Sequence, residues 1–542
     1  SVSGVAGAFI NTEIIQQQNV TTGGLNAEFI GATGLVSSVV TKSGGNEFSG
    51  SVNYYFQNDS LVESNKNRAD DSFSTYDTAF TLGGPVVRDG LWFFAGYEFI
   101  NSENTPNLSP TTRDWEGTNY NLKLTWQAGS SWRVVGKYSD SPADIYNVDA
   151  SQWIAEEATA YQRQGTPLFT FELNGVLSDN LMWNTMIGVT RSELDNYPQT
   201  GDLEPAGHWN YDTNMHTHNA SWQWYGKRDR DDLATDLTWF VDELAGSHEF
   251  KGGVGYSTTQ FDDGSCSTGT TGGACTPGSL GHFYQDRNWF GPVTPYEMWQ
   301  YETAGPLVYE GKLWTAYVQD AWRVVPNLTL KLGLRYDQPS FKNDVGTQVA
   351  DMSMLQPRIG AAWDITSDAK NVVRFNWGRF MHPNALTLPS FLRETQEPYG
   401  LFWSCSTVVN YFWGVGVGSP EECAAFADSI GYNFTDDYDG TDPLGWIQHP
   451  GNALGSEPYG VDPNLQPTHA DTLSIGYERE VGNRSSIEIT YVDKKTRDIV
   501  EDTCQGNLGP DGPSEDADCS NFVAANINGL ARDYEGLMLT FE

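Results

Sequence analysis

The sequence predicts an all-β chain, a transmembrane antiparallel β-barrel of about sixteen strands, preceded by a short segment of different texture. Three observations predict it. Apolar and polar side chains alternate in run after run from residue 48 onward. The connections between runs are short and long by turns. Aromatic residues make up 13% of the chain, with 19 Trp and 26 Tyr, a content usual where side chains sit at a membrane–water boundary.

The organising stretch is Gly34 to Asn58. Its first half, VSSVV, is a small-residue β segment that the sequence closes with a turn at Gly44 and Gly45; its second half sets Val52, Tyr54 and Phe56 against Ser51, Asn53, Tyr55 and Gln57. Later runs repeat this pattern. Tyr120, Leu122, Leu124 and Trp126 oppose Asn119, Asn121, Lys123 and Thr125. In LTLKLGLRYD, Leu328, Leu330, Leu332, Leu334 and Tyr336 share one face, and Thr329, Lys331, Gly333, Arg335 and Asp337 the other. A face carrying Lys, Arg and Asp is no sandwich core, but it suits a polar lumen behind a lipid-facing wall. A charge on that wall would cost about 2–4 kcal/mol at mid-bilayer, which keeps the apolar register clean.

Runs start near 49, 74, 90, 115, 131, 166, 180, 232, 247, 310, 328, 355, 371, 469, 485 and 531. The short links are 84–90, 128–131, 177–180, 244–247, 325–327, 366–370 and 481–483. In strict alternation with them come long ones at 59–73, 101–114, 141–165, 193–231, 262–309, 341–354, 381–468 and 497–530. A soluble sandwich gives no reason for this. An outer-membrane barrel does, with short periplasmic turns and long extracellular loops.

Seventy acidic residues oppose 31 basic ones, a net charge of −39, which argues against nucleic-acid partners. No apolar run reaches the ~18 residues of a membrane helix, which does not bear on a barrel. The six cysteines form three local pairs, Cys266 and Cys275, Cys405 and Cys423, Cys504 and Cys519, all in the long set of links. They are disulfide candidates of an oxidising, extracellular environment; the alternative is free thiols. Ser1 begins within ordered-looking sequence and Glu542 ends within an alternating run, so the chain is expected to be an internal part of something longer.

The segments AEFIGATGLVSSVVTKSGGNEFSGSVNYYFQND, LGGPVVRDGLWFFAGYEF, YVQDAWRVVPNLTLKLGLRYD, LQPRIGAAWDI, VVRFNWGRF, THADTLSIGYERE and ARDYEGLMLTFE, in this order, resemble a TonB-dependent outer-membrane receptor of the Oar-like branch. The resemblance implies a plug folded inside a barrel of about 22 strands. Residues 1–45 would then be the C-terminal part of the plug, Lys42, Ser43, Gly44, Gly45 and Asn46 the plug–barrel junction, and 46–542 the barrel without its closing strands. It also implies substrate import driven through TonB–ExbB–ExbD. The motif through which TonB would engage is not among the matching segments.

Candidate sites are few. His208, His216 and His218 share one loop and admit a metal reading or a plain loop reading. The stretch 401–418, with Phe402, Trp403, Tyr411, Phe412 and Trp413, is apolar for an exposed loop; self-packing, partner contact and ligand contact all fit it. Asp436, Asp437, Asp439 and Asp442 surround Gly440 and invite a calcium reading, although Thr435 and Trp446 break the EF-hand spacing. No other cofactor is indicated. No GxSxG, HExxH or Walker A motif occurs, so an enzyme is not expected. The expectation is an outer-membrane receptor importing a surface-bound substrate, surrounded by lipid and lipopolysaccharide. The rival is a barrel anchor whose loops hold another surface protein.

Overall fold

The computed structural model describes residues 11–21, 24–30, 36–63, 71–287, 294–382, 387–395, 399–404, 422, 425–426, 429, 446–448, 460–462, 464–482, 485–504, 522–527 and 529–541. Among the described residues, sixteen strands make the wall, within a nineteen-stranded sheet that also takes in Ala143–Tyr146, Ala160–Gly165 and Gln348–Asp351. The first eight are β1 (Ser49–Asn58), β2 (Ser72–Val87), β3 (Leu91–Thr105), β4 (Arg113–Ala128), β5 (Trp132–Asp140), β6 (Leu168–Ser178), β7 (Leu181–Pro198) and β8 (Trp222–Val241). The second eight are β9 (Ser247–Ser267), β10 (Leu307–Val325), β11 (Leu328–Lys342), β12 (Met354–Asp364), β13 (Asn371–Met381), β14 (His469–Glu480), β15 (Ser486–Arg497) and β16 (Arg532–Phe541). Each pairs antiparallel with the next in sequence. Among the described residues no ladder joins β16 to β1, so the wall is open.

The two faces are inverted relative to a soluble sheet. Val52, Leu124, Phe171, Val254, Val318 and Leu334 are exposed, whereas Lys123, Arg335, Asp337, Gln356 and Arg358 are buried. Outward apolar residues meet lipid, and inward polar residues find partners in the lumen. Trp126, Trp239 and Trp363 lie exposed one or two residues from the ends of β4, β8 and β12, beside short links, where an interfacial aromatic girdle belongs.

Short and long links alternate as the sequence predicts, but several wall strands are longer than the apolar alternation. Alternation places a strand start near 232, whereas β8 starts at Trp222, and β9 runs on to Ser267. Above the lipid band no lipid requires an apolar outer face, so the pattern vanishes while the backbone ladder continues; there Phe261 of β9 is buried with Leu307 and Tyr309, and Trp224 of β8 packs against them. The long links also carry structure of their own. Met215–Thr217, Gly207–Asn210, Leu280–Arg287, Thr294–Glu302, Tyr399–Ser404 and Trp446–Gln448 form a six-stranded sheet drawn from three loops. Its small core is Met298, Phe402 and Trp446 with Tyr284 against them. A three-stranded sheet joins Gly460–Val461, Phe522–Asn526 and Val500–Cys504.

Before the wall, Ile15–Thr21 pairs with Val36–Thr41 in an isolated antiparallel hairpin. The expected Gly-Gly turn is corrected. Neither Gly44 nor Gly45 adopts a left-handed backbone; instead, a Cβ on Gly44 would lie 2.1 Å from the Phe93 carbonyl oxygen. Close approach to β3 is what requires a glycine there.

Candidate functional site

The site is the lumen around residues 24–30. Ala27 is 0% exposed and Leu25 5%, held against the inward faces of the wall. Small residues permit the approach. A Cβ on Gly333 would lie 2.9 Å from that of Ala27, and one on Gly24 would meet the Asn376 amide at 2.7 Å. Further along, Ile14 occupies the space a side chain at Gly96 would need.

Cations from the wall grip the segment's main chain. Arg335 Nη1 donates to the carbonyls of Ala27 at 3.1 Å and Glu28 at 3.2 Å. Arg358 Nη1 donates to the carbonyl of Asn26, and to that of Phe29 at 2.8 Å. Lys251 pairs with the Glu28 carboxylate at 2.5 Å, and the backbone N–H of Glu28 donates to Gln319 Oε1 at 3.1 Å. Arg335 is itself oriented by Asp337 at 2.8 Å, whose carboxylate also accepts from Gln356 Nε2 at 2.7 Å. Bonds to backbone carbonyls fix the path of a segment rich in small residues, whatever its side chains are. Beside it lies a cavity of about 890 Å³ whose lining includes Asn26, Lys331, Arg358, Asn376, Lys494 and Arg532.

The junction is also tied down. Lys42 Nζ donates to the Glu13 carbonyl at 2.7 Å and Lys123 Nζ to that of Thr41 at 3.0 Å. Asn46 Oδ1 accepts from the Asp89 backbone N–H at 2.9 Å and from Trp92 Nε1 at 2.8 Å, fastening the start of the wall to the β2–β3 turn. Ser43 links Lys42 to Gly44, and Gly45 stands in open space.

The extracellular sheet holds the loop histidines, but not as a metal centre. The His208 and His218 rings stack at 4.0 Å, His208 Nδ1 lies 3.1 Å from an Asp286 oxygen, and His216 stacks on Trp209 instead. Burial holds the His216 and His218 imidazoles below their usual range, and the neighbouring His208 lowers His218 further. Among the described residues no three His, Cys, Asp or Glu side chains are arranged to hold a metal ion.

Of the other sequence candidates, Cys266 and Cys275 are joined by a disulfide. Phe402 is buried in the sheet's core, and Trp403 lies on the same strand. Cys504 ends the strand Val500–Cys504. Cys405, Cys423, Cys519, Tyr411, Phe412, Trp413, Asp436, Asp437, Asp439 and Asp442 lie outside the described residues. Sequence reasoning placed Lys331 and Arg335 on the polar faces but did not single out Glu28, Lys251, Gln319 or Arg358. The available signal was the inward register: Lys251 and Arg358 are long polar side chains, each two residues from a glycine on the same face of its strand (Gly253 and Gly360), and Gln319 lies on the inward face of β10.

An open antiparallel wall that is apolar outside, polar inside and occupied by an earlier piece of the same chain defines an integral outer-membrane barrel. The chain belongs to the family described as Outer membrane beta barrel domain, which matches residues 40–119, 101–354 and 342–534. It is 23% identical to the TonB-dependent transporter Oar of Myxococcus xanthus, over 92% of this chain and 56% of the relative. The chain thus spans about half the length of that relative. Among solved structures it is similar to the outer membrane transporter YddB of Escherichia coli, with 14% identity, a TM-score of 0.65, and coverage of 99% of this chain and 62% of that one. The siderophore receptor PirA of Acinetobacter baumannii superposes with a TM-score of 0.57 at 13% identity, over 98% of this chain and 64% of that one. The resemblance read from the sequence segments is therefore upheld, and the protein is integral to the outer membrane.

Proposed function

We propose that this chain is part of a TonB-dependent receptor that binds a substrate at the cell surface and imports it into the periplasm. In this reading residues 1–45 are the last part of a plug, and TonB–ExbB–ExbD supply the pull that moves it. The observation that carries the reading is the grip of Arg335, Arg358 and Lys251 on residues 26–29. A passive pore has no use for a lumen segment fixed through four main-chain carbonyls. A transporter needs a plug that stays seated until it is pulled.

The test requires no substrate. The whole receptor, reconstituted in planar bilayers, is expected to be nearly non-conducting, and Arg335→Met with Arg358→Met is expected to open a conductance. Free conduction by the unaltered receptor would remove the plug reading. A second reading, a surface anchor that holds another protein, is favoured by the extracellular sheet with its own core at Met298, Phe402 and Trp446. Recovery of the receptor from native membranes in stoichiometric complex with a surface protein, still non-conducting when TonB is active, would favour that reading.

A further inference from the structure

We propose that the outward face of β5–β8 carries a specific site for one lipopolysaccharide molecule. Its acyl chain lies in an apolar furrow, its phosphate in a charged cleft above, and its first sugars on a tyrosine stack higher still. β5 rises from the short link 128–131 to the long link 141–165, and β7 from 177–180 towards 193–231, so this order runs from the bilayer interior to the cell exterior. The furrow, about 380 Å³, is walled by Leu124, Tyr138, Phe169, Phe171, Ile187 and Val189. Its floor is Gly136, where an added Cβ would meet nothing within 4 Å. In the ladders Leu124 opposes Gly136 and Gly136 opposes Phe171, so a missing side chain between two large outward ones makes the furrow. An acyl chain seated there gains contacts that a flat wall would not offer.

The cleft begins one row above the furrow on the same strand faces. Asp140 follows Tyr138 by two residues, Pro167 precedes Phe169 by two, and Arg191 follows Val189 by two. The Tyr138 and Phe169 rings, 4.8 Å apart, mark the step from apolar to charged lining, the level of an interfacial aromatic belt. In the cleft, about 350 Å³, three cations stand in successive rows: Arg191 opposite Asp229, Lys227 opposite Glu193, and Arg163 two residues beyond Gly165. Asp140 already accepts from the backbone N–H groups of Ser141 at 2.8 Å and Thr166 at 3.1 Å, and Asp144 is bonded to Arg163 at 3.2 Å. Arg191 bonds Asp231 at 2.8 Å, whereas Lys227 makes no ion pair among the described residues. A phosphate is held by Lys227 and the outer edge of Arg191, and a divalent cation bridges it to Glu193 and Asp229. Acids interleaved with bases suit that pair of ions, where either alone would meet like charge.

Height decides the class of lipid. Above the cleft the Tyr161 ring lies 5.2 Å from that of Tyr146 and 6.4 Å from that of Tyr197, and Tyr146 is 37% exposed. Tyr197 is on the same face of β7 as Arg191, six residues further along. That is about 20 Å of strand and, at a tilt of about 45°, about 14 Å of height. A phospholipid headgroup layer is only about 5–8 Å thick and ends within the cleft. A phosphorylated glycolipid continues into sugars at the level of the tyrosines, whose ring faces pack against the C–H faces of a sugar. Sidedness agrees, because the cleft and the stack lie beside long links, in the leaflet of lipopolysaccharide.

The test offers the delipidated whole receptor, in detergent with magnesium, an equimolar mixture of three lipids and reads retained lipid by native mass spectrometry. They are a minimal lipopolysaccharide (lipid A with two core sugars), phosphatidylethanolamine and phosphatidylglycerol. The expected result is one retained lipopolysaccharide per receptor. Its affinity should fall about tenfold in Gly136→Leu, which fills the furrow, in Lys227→Gln, and when EDTA removes the magnesium. Both altered side chains are outward, and heat-dependent gel migration verifies that each variant barrel is folded. Equal retention of the three lipids would mean annular contact only and overturn the proposal. So would preference for either phospholipid, or unchanged lipopolysaccharide retention in either folded variant or in EDTA.

Discussion

Replacing Arg335 with Met should loosen the lumen segment far more than loss of one contact would. Arg335 is 3% exposed and Asp337 0%, so the substitution leaves a carboxylate in the wall with Gln356 as its hydrogen-bond partner and Arg358 as the cation left nearby. Leaving a buried charge unpaired costs about 3–5 kcal/mol. The carbonyls of Ala27 and Glu28 also lose their donor, at about 1–3 kcal/mol where water cannot replace it. Opening of residues 24–30 lets water reach all three groups, so most of this cost becomes a drive to open. Part of it is relieved by lumen water even when the segment is seated, which leaves about 3–4 kcal/mol. At about 1.4 kcal/mol per decade, the opening equilibrium shifts by roughly a hundred- to a thousand-fold. Hydrogen–deuterium exchange of the peptide spanning 24–30 reads this directly. In Arg335→Met with Asp337→Leu the unpaired charge is gone, and the acceleration should shrink to roughly tenfold, the share of the lost carbonyl bonds. Acceleration below about fivefold in the single variant, or no difference between single and double, would refute the argument that a buried ion pair holds the segment.

Two further outcomes concern the extracellular side. His216 and His218 titrate below their ordinary 6.5, so the sheet is at full strength above that pH and loses stability as pH falls from 6.5 towards the folded-state values. Protection factors of the amides in residues 207–217, with the intrinsic pH dependence of exchange removed, should fall between about pH 7.5 and about pH 5.5, across which an ordinary histidine takes up its proton, and less so in His218→Asn; equal protection at both would contradict it. Removing the Cys266–Cys275 bridge, which closes a sequence separation of 9, should weaken the β9 end of that loop by about 2–3 kcal/mol. Protease cleavage between residues 268 and 279 should quicken accordingly, while the wall stays resistant.

The sequence carried the wall because lipid imposes a rule that one chain cannot hide. Every outward residue in the bilayer band must be apolar, so Leu330, Leu332 and Leu334 alternate with Lys331, Gly333 and Arg335. The alternation of short and long links followed from the same geometry, and with it the side on which the loops lie. The extra length of β8 and β9 was not legible. Above the bilayer no lipid imposes a period on WQWYGKRDRDD: Trp224 packs against the buried Phe261, Leu307 and Tyr309, and the neighbouring ladders hold the strand extended.

The site was half legible. Inward charges such as Arg335 can be read from register, but their partners lie some three hundred residues away, as with Ala27 and Glu28. Nothing local in AEFIG announces which cations it meets. Likewise Phe402 looked exposed because its loop is long, whereas the loops 262–309 and 381–468 together give it a core. The sequence by itself determined the strands, their faces and the sidedness, because each depends on a two-residue period and on solvent. The tertiary structure alone decided what fills the lumen, which loops form a common sheet, and where an empty Gly136 between Leu124 and Phe171 opens a groove, because those depend on which distant strands become neighbours.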